Sequence, residues 1–267
     1  MTTIDIHESN EKWIAEVHSC LLPKLHADQR FIDAEKLTKK FKLEIETWRK
    51  RGKFGAVVEI GNELAAADCL LDSMGEGDKL MYEPSMAGTE KRIDFLAITS
   101  TGQRNWIEVK TVAPQWVDGE EKWQRFTRIA QGFPENAQLD VKKEWMGAAV
   151  GGQFINTRWS FIKRAAEIEA RAAFIPDSEK GPVSLLFCST GSAWCVDELE
   201  DFAYCYRTGK PRADDLMQNA AKKYMHDEGI SFNRSLAGFH YPGRECEEVF
   251  AYDLRMNLSG PARFLSR

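Results

Sequence analysis

A chain of 267 residues, 43% hydrophobic and 29% charged, is long enough for one large domain or two small ones and has the composition of an ordinary globular protein. Disorder, collagen-like repeats and coiled coil are excluded, and a core of this size forms without disulfides or a structural metal. The formal charge of −5 argues against wholesale coating of nucleic acid, while leaving room for a local basic surface on an acidic body.

Residues 11–51 are charged, with Trp13, Ile14, Val17, Leu21 and Leu22 at roughly helical spacing, and predict a helical N-terminal segment over residues 1–52 with no strand in it. From Phe54 to Met74 an apolar stripe runs through Val57, Ile60, Leu64, Ala67, Leu71 and Met74. This i, i+3, i+4, i+7 pattern predicts an amphipathic helix stopped at Gly75. After Lys79 the period becomes that of strands. KLMYEP, KRIDFLAI and NWIEVKTV are the candidates, and Ser100, Thr101 and Gly102 suit a three-residue hairpin loop ending in a residue at positive φ. Such a loop pairs Thr99 with Gln103. Counting back along both strands sets Leu96 opposite Trp106 and Asp94 opposite Glu108.

The stretch 113–156 is interrupted by Pro114, Gly132, Pro134, Gly147, Gly151 and Gly152, carries Trp116, Trp123 and Trp145, and reads as an insertion. Arg158 to Phe174 predicts a second helix, ended by Ile175-Pro176, and the apolar run PVSLLFCST predicts a buried strand. Val196 to Tyr206 and Leu216 to Asp227 predict helices, and EVFAYDL an edge strand. The order predicts a single α/β domain over residues 53–267, with a mixed central sheet flanked by helices.

Polar residues in otherwise apolar strands mark the chemistry. Glu108 and Lys110 are two residues apart, so the pleat puts both on one face. Asp94, opposite Glu108 in the predicted register, shares that face, with Cβ atoms roughly 5 Å apart. Two carboxylates this close repel unless a cation lies between them. A metal ion is the economical answer, and hard oxygen donors with no His or Cys nearby point to Mg²⁺, or Mn²⁺ as its substitute, rather than zinc. The alternative is a surface ion-pair ladder across an exposed sheet face. An ion held by few carboxylates keeps positions for water and phosphate, the arrangement of metal-assisted phosphodiester hydrolysis. Lys110 is placed to hold or deprotonate the attacking water and to stabilise charge building on the phosphate. On the preceding helix, Glu63 lies about 70° from the centre of the apolar stripe and Glu59 about 110° away, so Glu63 is the better third acid.

Glu63 in GNELAAADCLL, Asp94 in KRIDFLAI, and Glu108 with Lys110 in WIEVKTV together resemble the active-site signature of the PD-(D/E)xK nuclease superfamily. The resemblance spans about residues 54–112 well and extends more loosely to Thr190. It implies a restriction-endonuclease-like fold and a Mg²⁺-dependent nuclease acting on DNA. Asp94 and Glu108 would be metal ligands, the Val109 carbonyl an additional ligand, Lys110 the catalytic lysine, and Glu63 the helix-borne acid. Ile93 stands where the motif's name has proline. The second helix of such folds often faces substrate, which makes Arg158, Lys163 and Arg164 the substrate-binding candidates. Many enzymes of this type dimerise to cut both strands, so a homodimer belongs to the same expectation. The alternative is a catalytically silent nuclease-fold subunit that binds nucleic acid or a protein partner.

An acid followed two residues later by lysine also occurs at Glu120 with Lys122 and at Asp140 with Lys142. Both lie in the Gly/Pro-broken stretch and read as solvated charges. The basic residues Lys36, Lys39, Lys40, Lys42, Arg49, Lys50, Arg51 and Lys53 read equally as a phosphate-contacting face or a soluble helix face. Neither the nucleophile turn G-x-S-x-G nor the phosphate loop G-x-x-x-x-G-K-[ST] is present. Six cysteines without C-x-x-C spacing predict free thiols in a reducing compartment. A start lacking a signal-like apolar core, and no run of about 18 apolar residues, predict a cytoplasmic protein without a membrane partner.

Overall fold

A computed structural model describes residues 6–52, 54–86, 92–112, 158–189, 194–213, 215, 217–242 and 262–265. The predicted insertion at 113–156, with its three tryptophans, and the EVFAYDL strand lie outside the described residues.

The N-terminal segment is helical, as its spacing predicts. Helix α1 (Ile6–Glu16), a π-helical turn (Val17–Leu21) and α2 (Leu22–Ala27) follow one another directly, and α3 (Ala34–Arg51) returns across them. Gly52 closes α3 in the left-handed conformation, its N–H donating to the Trp48 carbonyl. Between α2 and α3 the chain touches the sheet: Phe31 forms an isolated parallel bridge with Leu80. The sequence gives no sign of this bridge, because a single residue carries no period.

Helix α4 (Gly55–Ser73) is more deeply buried than its predicted stripe requires. Gly61, Ala65 and Ala66 join Val57, Ile60, Leu64, Ala67 and Leu71 in the interior. These small side chains let α4 lie between α1–α3 on one side and the sheet on the other, and all of them share one core. The helix ends before Gly75 as predicted, but through an extended Met74; the positive φ belongs to Gly77.

Among the described residues the sheet has six strands: β1 (Lys79–Tyr82), β2 (Phe95–Ile98), β3 (Arg104–Val112), β4 (Val183–Ser189), β5 (Gly238–Pro242) and β6 (Ala262–Leu265), in that spatial order. The β1–β2, β2–β3 and β5–β6 pairs are antiparallel, and β3–β4 and β4–β5 are parallel, so the sheet is mixed. The hairpin takes the predicted register: Gly102 has φ 86°, the Thr99 N–H donates to the Gln103 carbonyl at 2.9 Å, and Leu96 faces Trp106.

Helix α5 (residues 158–172) covers the face opposite α4, packing Phe161, Ile162, Ala165 and Ile168 against Trp106, Leu185 and Phe187. Helix α6 (Trp194–Thr208) joins it there through Leu199, Phe202 and Tyr206, followed by α7 (Gln218–Asp227). At the entry to β4 a Cβ on Gly181 would meet the Arg104 carbonyl oxygen at 2.2 Å, so only glycine lets the chain pass β3 this closely. Among the described residues no helix is long and apolar enough to cross a membrane.

Candidate active site

Strand β3 sorts its side chains by parity. Ile107 and Val109 enter the core under α4, and Trp106 enters the core under α5, the face that Glu108 and Lys110 share by alternation. Glu108 is therefore an acid in an apolar layer, fully buried. Such a group persists only if its oxygens are satisfied. Its Oε2 accepts the Asp94 N–H at 3.2 Å, and its Oε1 lies 2.5 Å from Lys110 Nζ and 2.6 Å from Arg171 Nη1.

Asp94 lies one residue before β2. Continuing the ladder past Phe95 opposite Ile107 brings it opposite Glu108. Its Oδ2 accepts the Val109 N–H at 2.8 Å, so each acid holds a backbone N–H from the other's strand. Burial, then the charges of Glu108 and Glu63, push the Asp94 carboxyl up to about 8, against the opposing pull of Lys110 and the Val109 N–H.

Glu63 approaches from α4 on the other side of the sheet, and the exposed Glu59 does not. Its Oε2 accepts from Tyr82 Oη at 2.5 Å and from Lys40 Nζ at 3.4 Å. Burial raises its carboxyl, opposed by Lys40 and the tyrosine. Lys40 also donates to Tyr82 Oη at 2.7 Å and to Glu83 Oε1 at 3.0 Å. Burial disfavours its charge, but Glu63, Glu83 and Asp94 together leave it above the usual lysine range. Glu83 has a left-handed φ of 42°, and its N–H donates to the Asp94 carbonyl at 2.6 Å. Backbone strain of this kind concentrates at functional sites. Lys36 lies 3.3 Å and Arg92 3.5 Å from Glu83 Oε2. Sequence reasoning missed Glu83 and Arg171, and saw Lys40 only as one of a basic run.

Tyr82→Phe removes this bridging hydroxyl while keeping the ring packed 5.4 Å from Phe95. The expected outcome is a loss of about 1–3 kcal/mol, because Glu63 stays buried without its shortest donor. Urea denaturation measures it.

The substrate-binding candidates divide. Lys163 is exposed on α5, and Arg164 is partly exposed and paired with Glu167 at 2.9 Å. Arg158 is corrected: it is 2% exposed and its guanidinium turns inward, 3.0 Å from Asp215 and 3.4 Å from Asp201. A buried, paired guanidinium cannot reach a phosphate backbone.

Among the described residues, no three His, Cys, Asp or Glu side chains gather in a way that could hold a metal ion by themselves. Mg²⁺ commonly takes one or two carboxylates and completes its shell with water and phosphate oxygens. Asp94 and Glu108 fit that smaller requirement, and burial together with the charges of Glu108 and Glu63 raises the Asp94 carboxyl. No family model, curated protein or solved structure matches the chain.

Proposed function

We propose that this protein is a Mg²⁺-dependent nuclease of restriction-endonuclease-like fold that hydrolyses phosphodiester bonds of DNA. One observation carries the reading: Asp94 and Glu108, on neighbouring strand segments, each bind a backbone N–H beside the other, with the Lys110 ammonium 2.5 Å from Glu108. The order α4, three antiparallel strands, α5 and a strand parallel to β3 supports the same fold.

Asp94 and Glu108 would hold the ion, with the Val109 carbonyl as the additional ligand that the resemblance implies. The ion would act as a Lewis acid toward the phosphoryl oxygen and lower the pKa of an attacking water. Lys110 orients that water and offsets charge building on the phosphate. Glu63, within electrostatic reach of Asp94 but bonded to Tyr82 and Lys40, sets the local charge. Exposed Lys163 and partly exposed Arg164 lie on the helix that covers the same face of the sheet as Glu108.

The test is incubation of the purified protein with plasmid, linear and single-stranded DNA, with and without Mg²⁺. Cleavage that needs the ion and falls about 10²–10³-fold in Lys110→Met is the expected result. Absence of cleavage of all three, and of RNA and branched DNA, with Mg²⁺ or Mn²⁺ overturns it. The second reading, a silent subunit that binds nucleic acid or protein, is favoured by one observation: both Glu108 oxygens already have donors from the chain.

A further inference from the structure

The occupied Glu108 oxygens raise a question of exchange. Each carboxylate oxygen has two lone pairs; Oε1 meets both Lys110 and Arg171, while Oε2 accepts only the Asp94 N–H. An ion that engages Glu108 through Oε1, or fully through both oxygens, therefore makes one of three donors give way. The Asp94 N–H is part of the backbone, and the Asp94 carbonyl is itself tied to the Glu83 N–H at 2.6 Å. Lys110 stands on the same strand as Glu108 and is largely covered, its side chain 18% exposed. Arg171 differs from both. It reaches in from the last turn of α5 with a long side chain that is 36% exposed, so releasing Glu108 returns its guanidinium toward water rather than into a dry core.

We propose that Arg171 is the exchangeable counter-ion of this centre and a catalytic residue. It holds Glu108 Oε1 in the ion-free protein, gives that oxygen up on ion loading, and then binds a non-bridging oxygen of the phosphodiester. The inference rests on the nuclease reading and extends it. A planar guanidinium fork matches two phosphate oxygens, and its weaker hydration lets it change partners at lower cost than an ammonium. Exchange also answers the silent-subunit reading, since an oxygen held by a movable side chain is not lost to the ion. The ordinary role of an arginine in a helix's last turn is to complement the helix dipole. That role makes no link between Arg171 and ion affinity.

The test uses the full chain with Arg171→Gln and Arg171→Lys, and reads two quantities. Mn²⁺ affinity is measured by the free-ion electron paramagnetic resonance signal without nucleic acid, and kcat is measured on DNA at saturating Mn²⁺. Arg171→Gln is expected to bind Mn²⁺ about tenfold more tightly, because a competing cation is gone, and to lose about a hundredfold in kcat. Arg171→Lys, which keeps the charge, is expected to fall between Gln and wild type in both. Opposed changes in affinity and turnover support the exchange. Unchanged or weaker Mn²⁺ binding in Arg171→Gln, or turnover at the wild-type rate, overturns it while leaving a Mn²⁺-dependent wild-type nuclease intact. A wild type that neither binds Mn²⁺ nor cuts nucleic acid overturns the nuclease reading beneath it. Thermal melting of both variants, with Arg171→Lys as the milder change, separates these results from a folding defect.

Discussion

Asp94→Asn is expected to abolish cleavage, by about a hundredfold or more, and to stabilise the ion-free fold at pH 8. Both effects have the same source: the aspartate sits half-buried beside Glu108 and within reach of Glu63, and burial with these two charges pushes its carboxyl from 3.8 to about 8. An acid with a raised folded-state pKa contributes its stability in full below the unfolded value and loses it as pH climbs through the folded one. Wild-type protein in a chelating buffer should therefore weaken between about pH 4 and pH 8, by on the order of a few kcal/mol from this group. The asparagine variant lacks that slope. It can still accept the Val109 N–H through its amide oxygen. Urea titrations of both proteins at pH 5 and pH 8 read the difference: the variant should gain on wild type as pH rises. In wild type the ion should bind more tightly over the same range, since below about pH 8 it must displace a proton, and calorimetry in buffers of different ionisation heat counts that proton. A variant no more stable than wild type at pH 8 would show that the carboxyl is not held in a repulsive pocket.

The second large effect lies away from the chemistry. Arg158→Ala should cost about 3–5 kcal/mol, because Asp215, only 2% exposed, would keep its charge in the interior with its bidentate partner removed. Adding Asp215→Asn should recover part of the loss, and the double-mutant cycle isolates the pair. Cleavage per folded molecule and its salt dependence should not change. A reduced salt slope in the single variant would instead put Arg158 on the phosphate backbone.

Arg158 also shows where a sequence reading goes astray and what would have mended it. It precedes Phe161, Ile162 and Ala165 by three, four and seven residues, which places it on the buried stripe of its own helix. Treating the helix as a source of basic residues ignored that period. The same stripe runs through Ile168 to Arg171, three residues on, so a cation at the rim of the core was open to the same count. The β2–β3 register was legible because one loop glycine sets it, and with it the Asp94–Glu108 pair. The Glu63 wheel position was legible because a long helix averages out local noise. Strands β5 and β6 were not: each is short, and their pairings join residues distant in sequence, such as Leu185 with Phe239. Glu83 was hidden for another reason. Its place depends on a left-handed backbone at a non-glycine residue, which tertiary contacts impose and local sequence does not announce.

Lys40 gives the N-terminal helices a part in the centre that their sequence separation conceals. The ammonium between Glu63, Tyr82 and Glu83 is delivered by α3, and α3 is held by packing against α4. Excising residues 1–52 would strip the acids of a neutralising neighbour and bare the hydrophobic back of α4. Charge balance at this acidic centre thus depends on docking of the amino-terminal layer, and a shortened protein should lose the cation that opposes the rise of the Glu63 carboxyl.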